Sequence, residues 1–345
     1  MRQTDHDLMR GVARHILSYP YRIWGYGEGI ALEALIHAGD HLNEPRYLAF
    51  VSDLMTQWLA ARQDVPYADH VAPGSALLMV YERTRAPALL DRARALADLY
   101  GRMPRIAGDA RLHRPDHADF HAYVYVDCMD FDAPFLCHLA RVTGEARYFD
   151  LAVECLLGHA HVLWDDAHGL FYHLYDAEAD RVNGAFWGRG NGWASLGMVG
   201  TLERLPLDHP GYGEIAKLYR RHITALVAAQ TSDGNWHTVL DDAATYLEGS
   251  LPPMFYCSLV RGMKLGALSE DHWPAAALAG QAFRARLDDS GCLLDVSQAS
   301  PPGTAAHYAA IPTGGPYPWG QGPALEALLL GASRTANAGA SRRST

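Results

Sequence analysis

The feature that most constrains this chain is a beat of about sixty residues in its helix-opening prolines and turn glycines. Pro73 and Pro134 lie 61 residues apart, Pro134 and Pro252 118 (two steps of 59), and Pro253 and Pro323 70. Proline suits the first turn of a helix, where its missing N–H is not needed. A helix opening near Trp193 falls at the skipped step, and one from Glu28 begins the series. Gly169, Gly234 and Gly291, each in an Asp- or Ser-containing turn, lie 65 and 57 residues apart and mark turns after helices on the same beat.

Apolar residues recur at three-and-four spacing over about 5–18, 28–38, 45–61, 73–84, 87–101, 133–143, 146–162, 193–204, 211–229, 252–267, 274–286 and 323–332. Only Ala122 to Val126 reads as strand. Sixty residues make one helical hairpin, and six hairpins fill the chain. Six repeats of irregular sequence suit a closed toroid of six inner and six outer helices, an all-α (α/α)6 barrel, better than an open solenoid. No linker interrupts the pattern, so residues 1–332 are expected to form one domain and 333–345 a polar, flexible tail.

The 345 residues carry 29 Lys and Arg against 39 Asp and Glu, a net charge of −10 that argues against a nucleic-acid partner. No apolar run is long enough to span a membrane. Met1 to Asp7 is polar, without the apolar stretch of a signal peptide, and five cysteines lack Cys-x-x-Cys spacing. A cytoplasmic protein is expected.

In such a ring the inner helices run parallel and their N-termini gather at one mouth. The residues ahead of them include Trp24, Tyr26 and Glu28; Asp69 and His70; Asp127, Asp130 and Asp132; Trp187, Arg189, Asn191 and Trp193; Glu248 and Ser250; and Tyr317, Trp319 and Gln321. Aromatic planes beside paired polar groups suit a sugar, and converging helix N-termini favour an anion. Asp69 and Asp127 also fit turns ahead of helices, but their separation of 58 residues is one hairpin step, so both face the same mouth. Asp132 reads as the cap of the helix opened by Ala133 and Pro134, and Asp130 is open to either reading.

In Trp187–Trp193, WGRGNGW, two tryptophans flank an arginine whose fork can hold a carboxylate, among glycines that let the backbone pass close to a ligand. His173 lies one segment earlier, while His159 and His161 sit on an outer helix and read as structural. Neither metal-ligand spacing nor a serine-hydrolase or phosphate-loop motif occurs, so no metal or cofactor is expected.

With WGYGEG (24–29), ADHVAPG (68–74), VDCMDFDAPF (126–135), FYHLYD (171–176), WGRGNGW (187–193) and GGPYPWGQGPALEALL (314–329) in view, the chain resembles the unsaturated glycuronyl hydrolases of glycoside hydrolase family 105, with family 88 related. The resemblance implies an (α/α)6 fold and removal of a 4,5-unsaturated uronic acid from lyase-generated oligosaccharides, the unsaturated rhamnogalacturonan disaccharide first among them. It implies Asp127 as general acid and base and Asp69 as the second active-site aspartate, with His70 of the same block, His173, Arg189 and Trp193 around the sugar and Tyr26 and Trp187 lining the pocket.

The chain departs from the family pattern twice. Asp-Cys-Met-Asp-Phe stands where the family has Asp-Gly-Leu-Tyr-Met, so Asp130 and Phe131 are expected to alter the wall beside the acid. The family's Gly-Gly-Phe-Trp-His segment is replaced by Arg111–His121, with His113, His117 and His121 as candidate substitutes. The aglycone therefore stays open, as do fragments of ulvan, arabinogalactan or glycosaminoglycan. A sugar epimerase and a non-catalytic carbohydrate-binding protein on the same fold are the readings from other classes.

Overall fold

A computed structural model describes residues 4–21, 26–60, 73–115 and 117–341. In chain order come α1 (Asp5–Ser18), α2 (Tyr26–Leu42), α3 (Pro45–Ala60), α4 (Gly74–Thr84), α5 (Pro87–Arg102), α6 (Cys128–Phe131), α7 (Ala133–Thr143) and α8 (Arg147–Leu163). Then follow α9 (Gly188–Leu202), α10 (Tyr212–Ala228), α11 (Leu251–Lys264), α12 (Trp273–Ala285), α13 (Ala305–Ala309) and α14 (Pro318–Ser341). Helices α2, α4, α7, α9, α11 and α14 each pack on the next, and α14 returns to α2, so the ring is closed. Helices α1, α3, α5, α8, α10 and α12 lie outside it, each against an inner partner. This is the (α/α)6 barrel expected from the spacing.

Burial separates the two rings. Every residue of α9 is buried, whereas α1 buries only one stripe, through Met9, Gly11, Val12, Ala13 and Ile16. The ring closes tightly: a Cβ on Gly322 of α14 would lie 2.8 Å from the backbone of Ala31 in α2. The three beat glycines follow the outer helices α8, α10 and α12, and each takes a left-handed φ, +68° at Gly169, +85° at Gly234 and +86° at Gly291. The sequence period is therefore a conformational one. No helix among the described residues is long and apolar enough to cross a membrane.

Helix bounds differ most from the periodicity at α9 and α14. Helix α9 starts at Gly188, not near Trp193, because its glycines serve close packing. A Cβ at Gly188, Gly190 or Gly192 would lie 2.6 Å from Leu251, 2.6 Å from Val126 or 2.7 Å from Met254. Helix α14 starts at Pro318, which leaves Pro323 inside it, and continues to Ser341 through the alanine-rich stretch expected as a tail.

Short strands decorate the mouth. β1 (Tyr123–Tyr125), β2 (Trp164–Asp165), β3 (Leu170–Phe171), β4 (Leu174–Asp176), β5 (Arg181–Val182), β6 (Val296–Ser297) and β7 (Thr313–Gly314) pair antiparallel as β1–β4–β5, β2–β3 and β6–β7.

Candidate active site

The β1–β4 ladder brings the two central side chains together. Its register sets Tyr125 opposite Leu174, and the Val126 N–H donates to the His173 carbonyl at 3.0 Å, one step further on. Asp127 follows at once, at the N-terminal edge of α6. That short helix is fixed against α9, where a Cβ on Gly197 would sit 2.1 Å from the Met129 carbonyl. Asp127 and His173 are 2% and 1% exposed, and Nε2 of His173 stands 3.4 Å from Asp127 Oδ2. That distance is an electrostatic contact short of a formed hydrogen bond. Neither carboxylate oxygen of Asp127 has a hydrogen-bond partner among the described residues.

The far side of His173 is fully engaged. Its Nδ1 lies 2.5 Å from the hydroxyl of Tyr308, its backbone N–H donates to Ala185, and Trp187 lies against the ring at 4.3 Å. Tyr308 also stacks on Trp187 at 5.9 Å, and the Trp187 indole N–H has no partner among the described residues. Burial, with Asp127 close by, raises the pKa of the Tyr308 hydroxyl, and the same causes raise that of Tyr125. Both phenols stay protonated at neutral pH.

Asp127 faces a cavity of about 220 Å³ walled by His113, Arg114, Phe120 and Tyr125 on one side and by Ala299–Pro302 on the other. His113 is thus the histidine of the Arg111–His121 segment that reaches the site; its Nδ1 lies 3.2 Å from Cys128 Sγ. His121 instead pairs with Glu178 on the surface, and His117 packs on Phe120.

Arg189 makes its hydrogen bonds within the protein. Its Nη1 donates to Glu248 Oε1 at 3.0 Å and Ser297 Oγ at 2.6 Å, and its Nη2 to the Gln298 carbonyl at 2.7 Å and Ser300 Oγ at 3.0 Å. The guanidinium also lies over Trp187 and Trp319. Glu248 accepts in addition from the N–H groups of Ser250 and Ser297. The fork thus holds the segment that forms one wall of the Asp127 cavity. Asn191 bolts β3 in the same way, exchanging hydrogen bonds with the Phe171 N–H and carbonyl.

The other expected residues divide clearly. Asp69 and His70 lie outside the described residues, and Tyr26 opens α2 with its side chain outside them. Trp193 is fully buried against Phe131, inside the ring. Asp130 does not wall the Asp127 cavity. It lines a separate cavity of about 390 Å³ between the inner helices with Glu33, Glu203, Arg204, Arg261 and Glu326. Burial and the nearby Glu33 charge hold its carboxyl well above the usual range. Asp132 occupies the position before α7 but makes no side-chain cap, because α6 runs straight into α7 through the Asp132 N–H bond to Cys128. Tyr308 and Asn183 were not legible from the sequence: neither precedes an inner helix nor sits in a motif. No group of three or more His, Cys, Asp or Glu among the described residues could hold a metal ion.

Comparison with known proteins identifies the family and the fold. The profile described as Glycosyl Hydrolase Family 88 matches residues 5–332. An unsaturated rhamnogalacturonyl hydrolase, YesR, of Bacillus subtilis is 27% identical over 94% of this chain and 95% of its own. Among solved structures, a possible member of the GH105 family from Salmonella enterica superposes with a TM-score of 0.88 at 21% identity, over 97% of this chain and 95% of that one. The unsaturated glucuronyl hydrolase of Bacillus sp. GL1 superposes with a TM-score of 0.76 at 16% identity, over 95% of this chain and 96% of that one.

Proposed function

Because the chain belongs to glycosyl hydrolase family 88, we propose that it removes a 4,5-unsaturated uronic acid from the non-reducing end of lyase-generated oligosaccharides. The unsaturated rhamnogalacturonan disaccharide is the first substrate to test. The observation that carries this reading is Asp127, a buried carboxyl with both oxygens unpartnered among the described residues, facing a sugar-sized cavity beside His173. The name of the Bacillus subtilis relative supports the choice of substrate. The absence of disulfides among the five cysteines supports a reducing, cytoplasmic setting, and one core cluster running from Met9 to Leu329 supports a single catalytic domain.

The substrate's C4=C5 bond is an enol ether conjugated to a carboxylate. Protonated Asp127 gives its proton to C4, forming the C4–H bond and leaving positive charge shared between C5 and the ring oxygen. Water adds at C5 and returns a proton to Asp127, with Asp69 as the second carboxylate. The hemiketal at C5 opens to a ketone, and the aglycone leaves from C1. Ordinary glycosidases instead act at C1 with two carboxyl groups at a set separation. Arg114 supplies positive charge on the cavity wall for the uronate, while Arg189, its donors committed to Glu248 and Ser297–Ser300, holds the opposite wall.

The test is incubation with the unsaturated rhamnogalacturonan disaccharide while following ultraviolet absorbance of the conjugated double bond. Loss of absorbance with release of rhamnose is expected. Loss only with unsaturated glucuronyl disaccharides would move the substrate, and a flat trace on all of them would overturn the hydrolase reading in favour of an epimerase or a binding protein.

A further inference from the structure

The hydroxyl of Tyr308 has a complete hydrogen-bond inventory, and that inventory decides where the ring proton of His173 sits. A phenol oxygen donates once and accepts at most twice. Two donors already point at this oxygen: the Gly303 N–H at 3.1 Å and Nδ2 of Asn183 at 3.0 Å. The Asn183 amide cannot be turned round, because its Nδ2 also donates to the Gly303 carbonyl at 2.8 Å and its Oδ1 faces the N–H groups of Leu174 and Ala185. With both lone pairs occupied, the Tyr308 hydroxyl can meet Nδ1 of His173 only as the donor. Nδ1 is then the acceptor, and the proton of the neutral imidazole lies on Nε2, 3.4 Å from Asp127 Oδ2. Tyr308 is fully buried, held by α13 and by ring contacts with His173 and Trp187, so the inventory does not relax into solvent.

We infer that Tyr308 is a positioning residue that locks His173 as the Nε2–H tautomer and so aims a hydrogen-bond donor, never a base, at Asp127. The consequence rests on Asp127 being the acid of the proposed reaction. A His173 ring carrying its proton on Nδ1 would offer a bare Nε2 to Asp127 and draw the acid's proton away from C4 of the substrate. The locked ring cannot take that proton. When Asp127 has delivered it to C4, Nε2–H faces the resulting carboxylate, and the same proton count is restored when water adds at C5. His173 itself gains and loses nothing through the cycle.

The experiment is nitrogen NMR of protein labelled with 15N-histidine, the His173 signals being assigned by their loss in His173→Gln. The native protein is expected to show an unprotonated Nδ1 and a protonated Nε2. In Tyr308→Phe the pure Nε2–H signature is expected to disappear, with kcat on the unsaturated disaccharide falling about tenfold or more and KM within about twofold. Asn183→Ala, which frees one lone pair of Tyr308 and keeps the phenol, is expected to shift the same signals part of the way. A protonated Nδ1 in the native protein would overturn the inference, as would an unchanged tautomer in Tyr308→Phe or an unchanged kcat beside a lost tautomer. The nitrogen shifts answer this even if the protein hydrolyses none of the disaccharides, so failure of the proposed reaction and failure of this inference are read separately.

Discussion

Two buried polar clusters sit side by side at the mouth of the ring, and they are built on opposite principles. Around Arg189, every donor of the outer guanidinium nitrogens meets Glu248, Ser297, Gln298 or Ser300, and both oxygens of Glu248 are taken. Around Asp127, both carboxyl oxygens and the nearby Trp187 N–H are left without a partner among the described residues, next to a cavity. A satisfied buried network is scaffold: it fixes one arrangement of the Val296–Ser300 segment and has nothing left to offer a ligand. An unsatisfied one is unfavourable for folding and persists where a ligand completes it. The Tyr308–His173 contact joins the two kinds, satisfied on the tyrosine side and open on the aspartate side.

That contrast can be broken most sharply at Asp127. Asp127→Asn is expected to lower kcat by about 10²–10⁴ while the thermal midpoint stays near the native value, since its carboxyl oxygens hold no hydrogen bond among the described residues. A large fall in stability would assign Asp127 to the scaffold. At the other cluster, Glu248→Ala strands a buried arginine and is expected to cost about 3–5 kcal/mol of stability, read from urea unfolding. Wild-type stability with a raised KM would show that the pair belongs to the ligand instead.

The scaffold is also expected to be acid-sensitive through His222, whose ring lies between the carbonyls of Gly169 and Asn191. Burial pushes its pKa from 6.5 down to about 4, outweighing the pull of those carbonyls in the other direction. The unfolded chain therefore binds this proton first as pH falls. The stability contributed by keeping the ring neutral is fully present above about pH 6.5 and is lost between there and about pH 4, at most about 3 kcal/mol. Unfolding free energies of the native protein and His222→Gln should diverge over that window, and parallel curves would contradict the assignment. The smallest effect is expected at Arg114→Ala: a rise in KM of about tenfold. An unchanged KM would remove Arg114 from the uronate.

The ring was legible because its period is enforced by backbone conformation: Gly169, Gly234 and Gly291 all require a left-handed φ at the same point of successive hairpins. Asp127, His173 and Arg189 were legible as members of the mouth because they sit in motifs near inner-helix starts. The partners of Arg189 were not, since they come from residues 59 to 111 positions away. The glycines of WGRGNGW were legible as glycines but not as helix, because only Leu251, Val126 and Met254 reveal that there is no room for a side chain. Tyr308 carries no local signal at all. Its role arises from where α13 lays its ring on His173 and Trp187.

The most direct test of the two-cluster account is a crystal structure of the Asp127→Asn protein soaked with the unsaturated disaccharide. The account predicts the sugar in the cavity between Tyr125 and Ser300, with C4 about 3–3.5 Å from the residue-127 side chain and Arg189 still paired with Glu248. A uronate carboxylate gripped by Arg189, with Glu248 displaced, would contradict it.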